Sequence, residues 1–334
     1  MSKTLTAALA LGAPFVICAS GALAQERFSW DGEIEIGYES IIDSTVPANE
    51  GDAAYATGEF NTAFALSDRV TVFGGLTFEE LEDASGTTGY GFYLHELGLQ
   101  FETGAATFQL GKVSPAFGTA WVSAAGFYGA ALAEDYELTE QIGVLAEADL
   151  GAAGTLALGL FYADDTGLSD SLGFNRGRNS SAAGGAGNTG KLNNAALQWS
   201  GEWDATFAYA GVRFLSAGVG DVGDETGFVA GLGHSLGNGL DLFGEVAAFD
   251  GYGGTADDAT YATLNAAYAI GEVTLSGTYS MRDVTSAGRT DLVSAAAEYE
   301  LANGMTLGGA LARIDDAGTK DTLLGVNLVI PFGG

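Results

Sequence analysis

The sequence predicts an all-β protein, a transmembrane antiparallel β-barrel of sixteen strands, from three observations. The amino terminus has the form of an export signal, short segments alternate apolar with polar residues along most of the chain, and the connections between them alternate in length.

The chain opens Met1-Ser2-Lys3, runs through an apolar stretch and reaches Ala22-Leu23-Ala24 before Gln25. One basic residue, an apolar centre and an A-x-A site predict a signal peptide over residues 1–24, cleaved to leave a single barrel domain over 25–334. Cys18 is the one cysteine of the chain and falls inside the apolar centre. The mature protein then has no cysteine, which excludes a disulfide framework and a cysteine-metal site.

No later segment offers 18 consecutive strongly apolar residues free of helix breakers, so spanning helices are not expected. Asp and Glu number 43 against 12 Lys and Arg, a net charge of −31. A surface this anionic repels nucleic acid, whose binding needs cationic neutralisation of phosphate, and attracts cations instead. With 47% hydrophobic residues, 13 Tyr and 19 Phe, the chain is too apolar and aromatic to be disordered.

The first strand is the clearest. Phe28, Trp30, Ile34, Ile36 and Tyr38 fall on one face of a period-2 strand, while Asp31, Glu33 and Glu35 fall on the other. The division recurs with Val70, Val72, Leu76 and Phe78 against Thr71, Thr77 and Glu79, and with Tyr93, Leu97, Leu99 and Phe101 against Glu96 and Gln100. It recurs again with Val273, Leu275 and Tyr279 against Glu272, Thr274 and Thr278.

Short turns of the Gly, Asn and Asp kind are read at 67–69, 102–104, 151–154, 201–204, 237–239, 270–271 and 302–304. Longer connections are read at 42–53, 82–89, 113–140, 164–191, 216–225, 250–257, 282–290 and 315–320. These fifteen connections separate sixteen strands and put both chain ends on the short-turn side. The glycine- and serine-rich 164–191 stretch reads alone as a flexible linker. Cutting there leaves two odd sets of strands that do not close, so it is taken as a long external loop.

A soluble β-sandwich also alternates, but its greasy faces meet inside. Export, an even strand count, one-sided loop lengths and aromatics near the ends of the apolar stripes favour a barrel with its apolar face in lipid. Those aromatics are Trp30 and Tyr38 in the first strand, and Trp203 and Tyr209 where the ninth begins. In lipid every backbone polar group needs an internal partner, so strands span only as a closed barrel. The polar face then lines the lumen, and sixteen strands leave that lumen wet.

Residues 113–140 break the rhythm. They carry no charge until Glu134, Asp135, Glu137 and Glu140 arrive together, and they include Pro115, Phe117, Trp121, Phe127 and Tyr128. A buried helix is opposed by Pro115 and by Gly118, Gly126 and Gly129. Between the remaining readings, an ordinary surface loop and a loop folded inward, the small and aromatic residues favour the second, because such residues pack against something. Long ordered loops in compact folds are usually functional.

The export signal, the sixteen-strand rhythm, the long third loop with Pro115, Phe117 and Gly118, and the aromatic final strand resemble the trimeric general porins of Gram-negative outer membranes. The small-residue-rich, acidic character is similar to that of Rhodobacter-like and marine alphaproteobacterial porins. Ala116 stands where many of these porins carry an acid, and two glycines follow Phe332 where they usually end on phenylalanine. The resemblance implies an outer-membrane diffusion channel for small hydrophilic solutes and ions. It also implies a homotrimer, a surround of membrane lipid and lipopolysaccharide, and a third loop whose carboxylates face basic residues of the wall. Glu134, Asp135, Glu137 and Glu140 match the loop side; Lys112, Arg213, Arg282 and Arg313 are the basic candidates of the wall.

Asp31, Glu33, Glu35, Glu79, Glu147 and Asp149 are read as lumen acids, and with the net charge they make cation selectivity the expectation. Clustered carboxylates suit calcium, so Glu134, Asp135, Glu137 and Glu140 are also a candidate calcium site. No catalytic residue is assigned. A barrel hydrolase would need an activated nucleophile with its base, and only His95 and His234 are available. His95 is read as lipid-facing and His234 as a turn residue. A substrate-specific channel would want an inward aromatic file, and Phe73, Phe92, Phe161 and Phe243 are scattered.

Overall fold

The computed structural model describes residues 27–83 and 85–334. The expected signal peptide lies outside them. Seventeen strands form one sheet: β1 (Phe28–Ser44), β2 (Gly51–Ser67), β3 (Val70–Glu82), β4 (Thr88–Glu102), β5 (Ala106–Val113), β6 (Gln141–Asp149), β7 (Thr155–Ala163), β8 (Leu172–Gly173), β9 (Asn194–Trp203), β10 (Thr206–Leu215), β11 (Glu225–Ser235), β12 (Leu240–Asp250), β13 (Ala259–Ile270), β14 (Val273–Val284), β15 (Gly288–Glu300), β16 (Thr306–Asp316) and β17 (Thr319–Gly333). Each neighbour pair is antiparallel, and β1 is bonded to β2 on one side and β17 on the other, so the sheet closes on itself. The two-residue β8 is a flap paired to the top of β4, and β7 passes directly to β9. The barrel therefore has sixteen staves. No helix among the described residues is long and apolar enough to cross a membrane.

Alternation makes the barrel inside-out. Ile34, Ile36, Leu110, Leu158, Leu160, Phe228, Leu264, Val293 and Leu311 are exposed on the outer face, while Glu35, Thr77, Gln198, Glu245, Thr263, Asn265 and Asn327 are buried on the inner one. Trp30, Phe60 and Phe332 cluster at the end where both termini lie, with ring centroids 5.8 to 6.3 Å apart. Tyr209 departs from its expected place. It is buried in the lumen, because β10 turns Ala208, Ala210 and Val212 outward and Tyr209, Gly211 and Arg213 inward.

The short turns lie where the sequence puts them, except that β9 runs on through Trp203 and the turn read at 201–204 is 204–205. Gly154 shows why one of them needs glycine: its φ is 92° and a Cβ there would stand 2.1 Å from the Ser200 carbonyl. Two connections read as long are short. Only 285–287 separate β14 from β15, and 317–318 separate β16 from β17. The charged residues that imitated loops, Arg282, Asp283, Arg289, Asp315 and Asp316, continue the backbone ladders.

A bulge in β4 corrects a third expectation. Gly75 pairs with Glu96 but Leu76 pairs with Leu94, so His95 is the extra residue and the faces exchange beyond it. Tyr93 and His95 thereby point into the lumen, and Phe92 points out, its ring tilted against Phe78 with centroids 4.8 Å apart.

Candidate functional site

The lumen is occupied by residues 114–140, which leave β5 and return to β6 where the staves are shortest. Their path is fixed by polar anchors on the opposite wall. Gly118 N–H donates to Gln198 Oε1 at 2.7 Å, and Thr119 and Ala120 N–H donate to Glu245 Oε2 at 2.7 and 3.3 Å. Tyr136 and Tyr209 hydroxyls donate to the same Glu245. The buried Glu245 thus clasps the outgoing and returning limbs of the loop. Asn265 Nδ2 donates to the Ala125 carbonyl at 2.9 Å.

Apolar packing completes the seat. Phe117, Trp121, Tyr136 and Leu138 pack on Phe249, Tyr261 and Val229 of the wall. Phe127, Tyr128 and Leu132 pack on Leu292, Ala312, Ile314 and Leu323. Burying such side chains stabilises by about 1.5–3 kcal/mol each, which holds the loop inward. Gly118, in the left-handed region at φ 80°, lets the chain approach Glu245: a Cβ would lie 2.9 Å from its Oε2.

The four loop acids diverge. Asp135 accepts from Arg282 Nη1 at 2.8 Å and from the Tyr261 hydroxyl at 3.1 Å. Glu140 accepts from Lys112 Nζ at 2.6 Å and, in bidentate fashion, from Arg176 at 2.9 and 2.6 Å. Glu134 opens a single 3-10 turn that runs to Tyr136. Glu137 lies within electrostatic reach of Glu59 of the wall, and burial pushes its carboxyl up to about 7. Among the described residues no three His, Cys, Asp or Glu side chains converge as a metal site, at Glu134, Asp135, Glu137 and Glu140 or elsewhere. Asp135 and Glu140 are drawn to different cations of the wall and the loops.

The basic candidates separate into two groups. Lys112 is wholly buried and also meets Asp164 Oδ2 at 3.0 Å; Arg213 is buried against Glu225 at 2.7 Å, donates to the Tyr136 carbonyl at 2.6 Å and lies over the rings of Phe117 and Phe249. Arg282 reaches the loop through Asp135. Arg313 is not a wall residue of the pore. It shares the outer face with Leu311 and its cross-strand partner Val293, both exposed, and donates to Thr322 Oγ1 at 3.1 Å.

Of the acids read as lumenal, Asp31, Glu33, Glu35 and Glu79 share the inner face of β1 and β3. Glu35 is wholly buried, accepting from the Tyr55 hydroxyl and from Asn327 at 3.0 Å. Glu79 accepts from the Tyr93 hydroxyl at 2.8 Å. Glu147 keeps the inner-face parity near the terminal end, and Asp149 caps the following turn through Gly151 N–H at 2.7 Å. Glu33 and Glu59 are direct cross-strand partners, an arrangement of like charges that a sheet disfavours. Glu59 is in electrostatic reach of Glu33, Glu96, Glu137 and Asp31, with His95 Nε2 at 3.1 Å.

Sequence reasoning missed Glu59, Glu245, Asp164 and Arg176, and it put Glu96 on the polar face of its strand without naming it a site residue. Glu59 sits at an inner-face position that alternation could have found. Glu245 and Arg176 carry no local signal. His234 faces outward beside Thr206, 2.7 Å away. The inward aromatics Phe73, Phe161 and Phe243 are buried rather than presented to the lumen.

A closed barrel that is apolar outside, polar inside and narrowed by an inserted loop defines a transmembrane pore. The chain belongs to the Gram-negative porin family, which it matches over residues 5–319, and this places it in the outer membrane. Three solved structures show the same fold. The outer membrane channel DcaP of Acinetobacter baumannii is 11% identical with a TM-score of 0.63, over 91% of this chain and 97% of that chain. A substituted form of the Rh. blastica porin is 15% identical with a TM-score of 0.60, over 91% and 100%. The anion-selective porin from Comamonas acidovorans is 13% identical with a TM-score of 0.60, over 91% and 98%. A comparison with curated proteins gave no match. Family and fold point to a channel rather than an enzyme.

Proposed function

We propose that this porin is a water-filled diffusion channel for small hydrophilic solutes that prefers cations. The observation that carries the reading is an imbalance in the lumen. The basic side chains that reach the loop, Lys112, Arg176, Arg213 and Arg282, are each committed to a carboxylate, and Lys112 and Arg213 are buried. Glu33, Glu59 and Glu96 on the wall and Glu137 on the loop stand together with no lysine or arginine in ion-pair range among the described residues. A cation passing between them meets carboxyl oxygens on both sides.

The Comamonas acidovorans channel carries an anion-selective pore on a similar barrel, which supports assigning ion preference to side-chain charge rather than to the architecture. Screening over about 8 Å in physiological salt makes the preference moderate. The test is the zero-current potential of the purified protein in a planar bilayer under a KCl gradient. Its sign should favour potassium, and its size should shrink as both salt concentrations are raised together; a sign favouring chloride rejects cation preference. Assembly as a homotrimer belongs to the same reading and is tested by light scattering of the detergent-solubilised protein.

A further inference from the structure

The 164–193 connection, which by composition is a flexible loop, is built to deliver one guanidinium into the pore. Its β8 flap pairs with β4 at Gly91 and Phe92, and Phe174 N–H donates to the Tyr90 carbonyl at 3.0 Å. The fit is close: a Cβ on Gly89 would stand 2.4 Å from the Phe174 ring, and one on Gly91 would stand 2.7 Å from the Phe174 carbonyl. Two residues further on, Arg176 turns inward. Its backbone N–H donates to Ser171 Oγ at 2.9 Å, its Nε donates to the Ser169 carbonyl at 3.1 Å, and its Cζ lies 3.9 Å from the Tyr93 ring centroid. The remaining nitrogens grip Glu140 in a planar fork. Both partners stay about one-fifth exposed, so unlike Lys112 this pair faces the water of the pore.

We propose that Arg176 is a selectivity-determining residue, a counter-ion carried by an external loop that cancels the charge of Glu140 at the root of the constriction loop. A lysine would supply the charge but not the fork, and the Ser169, Ser171 and Tyr93 contacts show that position as well as charge is specified. The inference rests on the channel reading but not on its sign, since removing a positive charge moves any pore toward cations.

The test is a charge cycle on the full-length protein in planar bilayers. Arg176→Gln should raise the cation-to-anion permeability ratio roughly twofold, the scale of a partly exposed, screened charge. Glu140→Gln should lower it by a similar factor, and the double variant should return close to the parent. Conductance and sugar cut-off should change less in Arg176→Gln than the permeability ratio does. An unchanged ratio in Arg176→Gln, or a double variant that stays with either single one, overturns the proposal. A parent channel that prefers anions while the cycle still closes would reject the cation reading above and leave this one standing.

Discussion

Lys112, one residue before the end of β5, donates to Glu140 at 2.6 Å, so the two ends of the constriction loop are clasped to each other. Glu140 holds φ 53°, a left-handed conformation that a non-glycine residue adopts when its surroundings impose it. Lys112 is wholly buried and also meets the buried Asp164 at 3.0 Å. Removing one partner of such a group leaves an uncompensated buried charge, which costs about 3–5 kcal/mol. Lys112→Met should therefore lower the unfolding free energy by roughly that amount, read from urea titration of the barrel in detergent. Lys112→Arg should lose less.

Ion preference should depend on pH through Glu137. Its carboxyl is pushed up to about 7 by burial, so it is charged above neutrality and neutral below. Cation preference should then fall as the pH is lowered from 8 to 6, reported by the zero-current potential. In Glu137→Gln the preference should start lower at pH 8 and the inflection near 7 should be gone; a parent channel with no inflection there would contradict this placement of the loop charge.

Glu245 accepts from two backbone N–H groups of the loop and from two tyrosine hydroxyls. Glu245→Ala strands those donors, at about 1–3 kcal/mol for each that stays buried without a partner. The loop should draw back from the wall, and liposome swelling should admit larger sugars than the parent does. If the cut-off is unchanged, Gln198, Arg213 and the aromatic seat hold the loop without Glu245.

Arg313 gives the opposite expectation. Its side chain lies on the outer face, so Arg313→Ala should leave conductance and the permeability ratio at parental values, whereas Arg282→Ala should shift the ratio toward cations by freeing Asp135. A changed ratio in Arg313→Ala would mean that its charge reaches the pore.

Strand number, the closed antiparallel barrel, the side on which both termini lie and the inward course of the 113–140 stretch were legible in the sequence. They follow from local regularities: a period of two, turn residues, and a long run of small and aromatic residues with no charge until its end. The reading slipped where local chemistry is ambiguous. Arg282, Asp283, Asp315 and Asp316 resemble loop residues but extend strands past the apolar belt. At His95 one extra residue reverses which face looks inward, and nothing in the composition marks a bulge there.

By itself the sequence determined that grease faces lipid and acids face the lumen, because alternation assigns every residue of a regular strand to one face. Only the tertiary structure decided which cation meets which carboxylate. Arg176 and Glu140 are 36 residues apart, and Arg282 and Asp135 are 147 apart. Such pairs form because a folded loop and a closed wall bring their side chains within hydrogen-bond distance, and that distance is set by packing in three dimensions rather than by spacing along the chain.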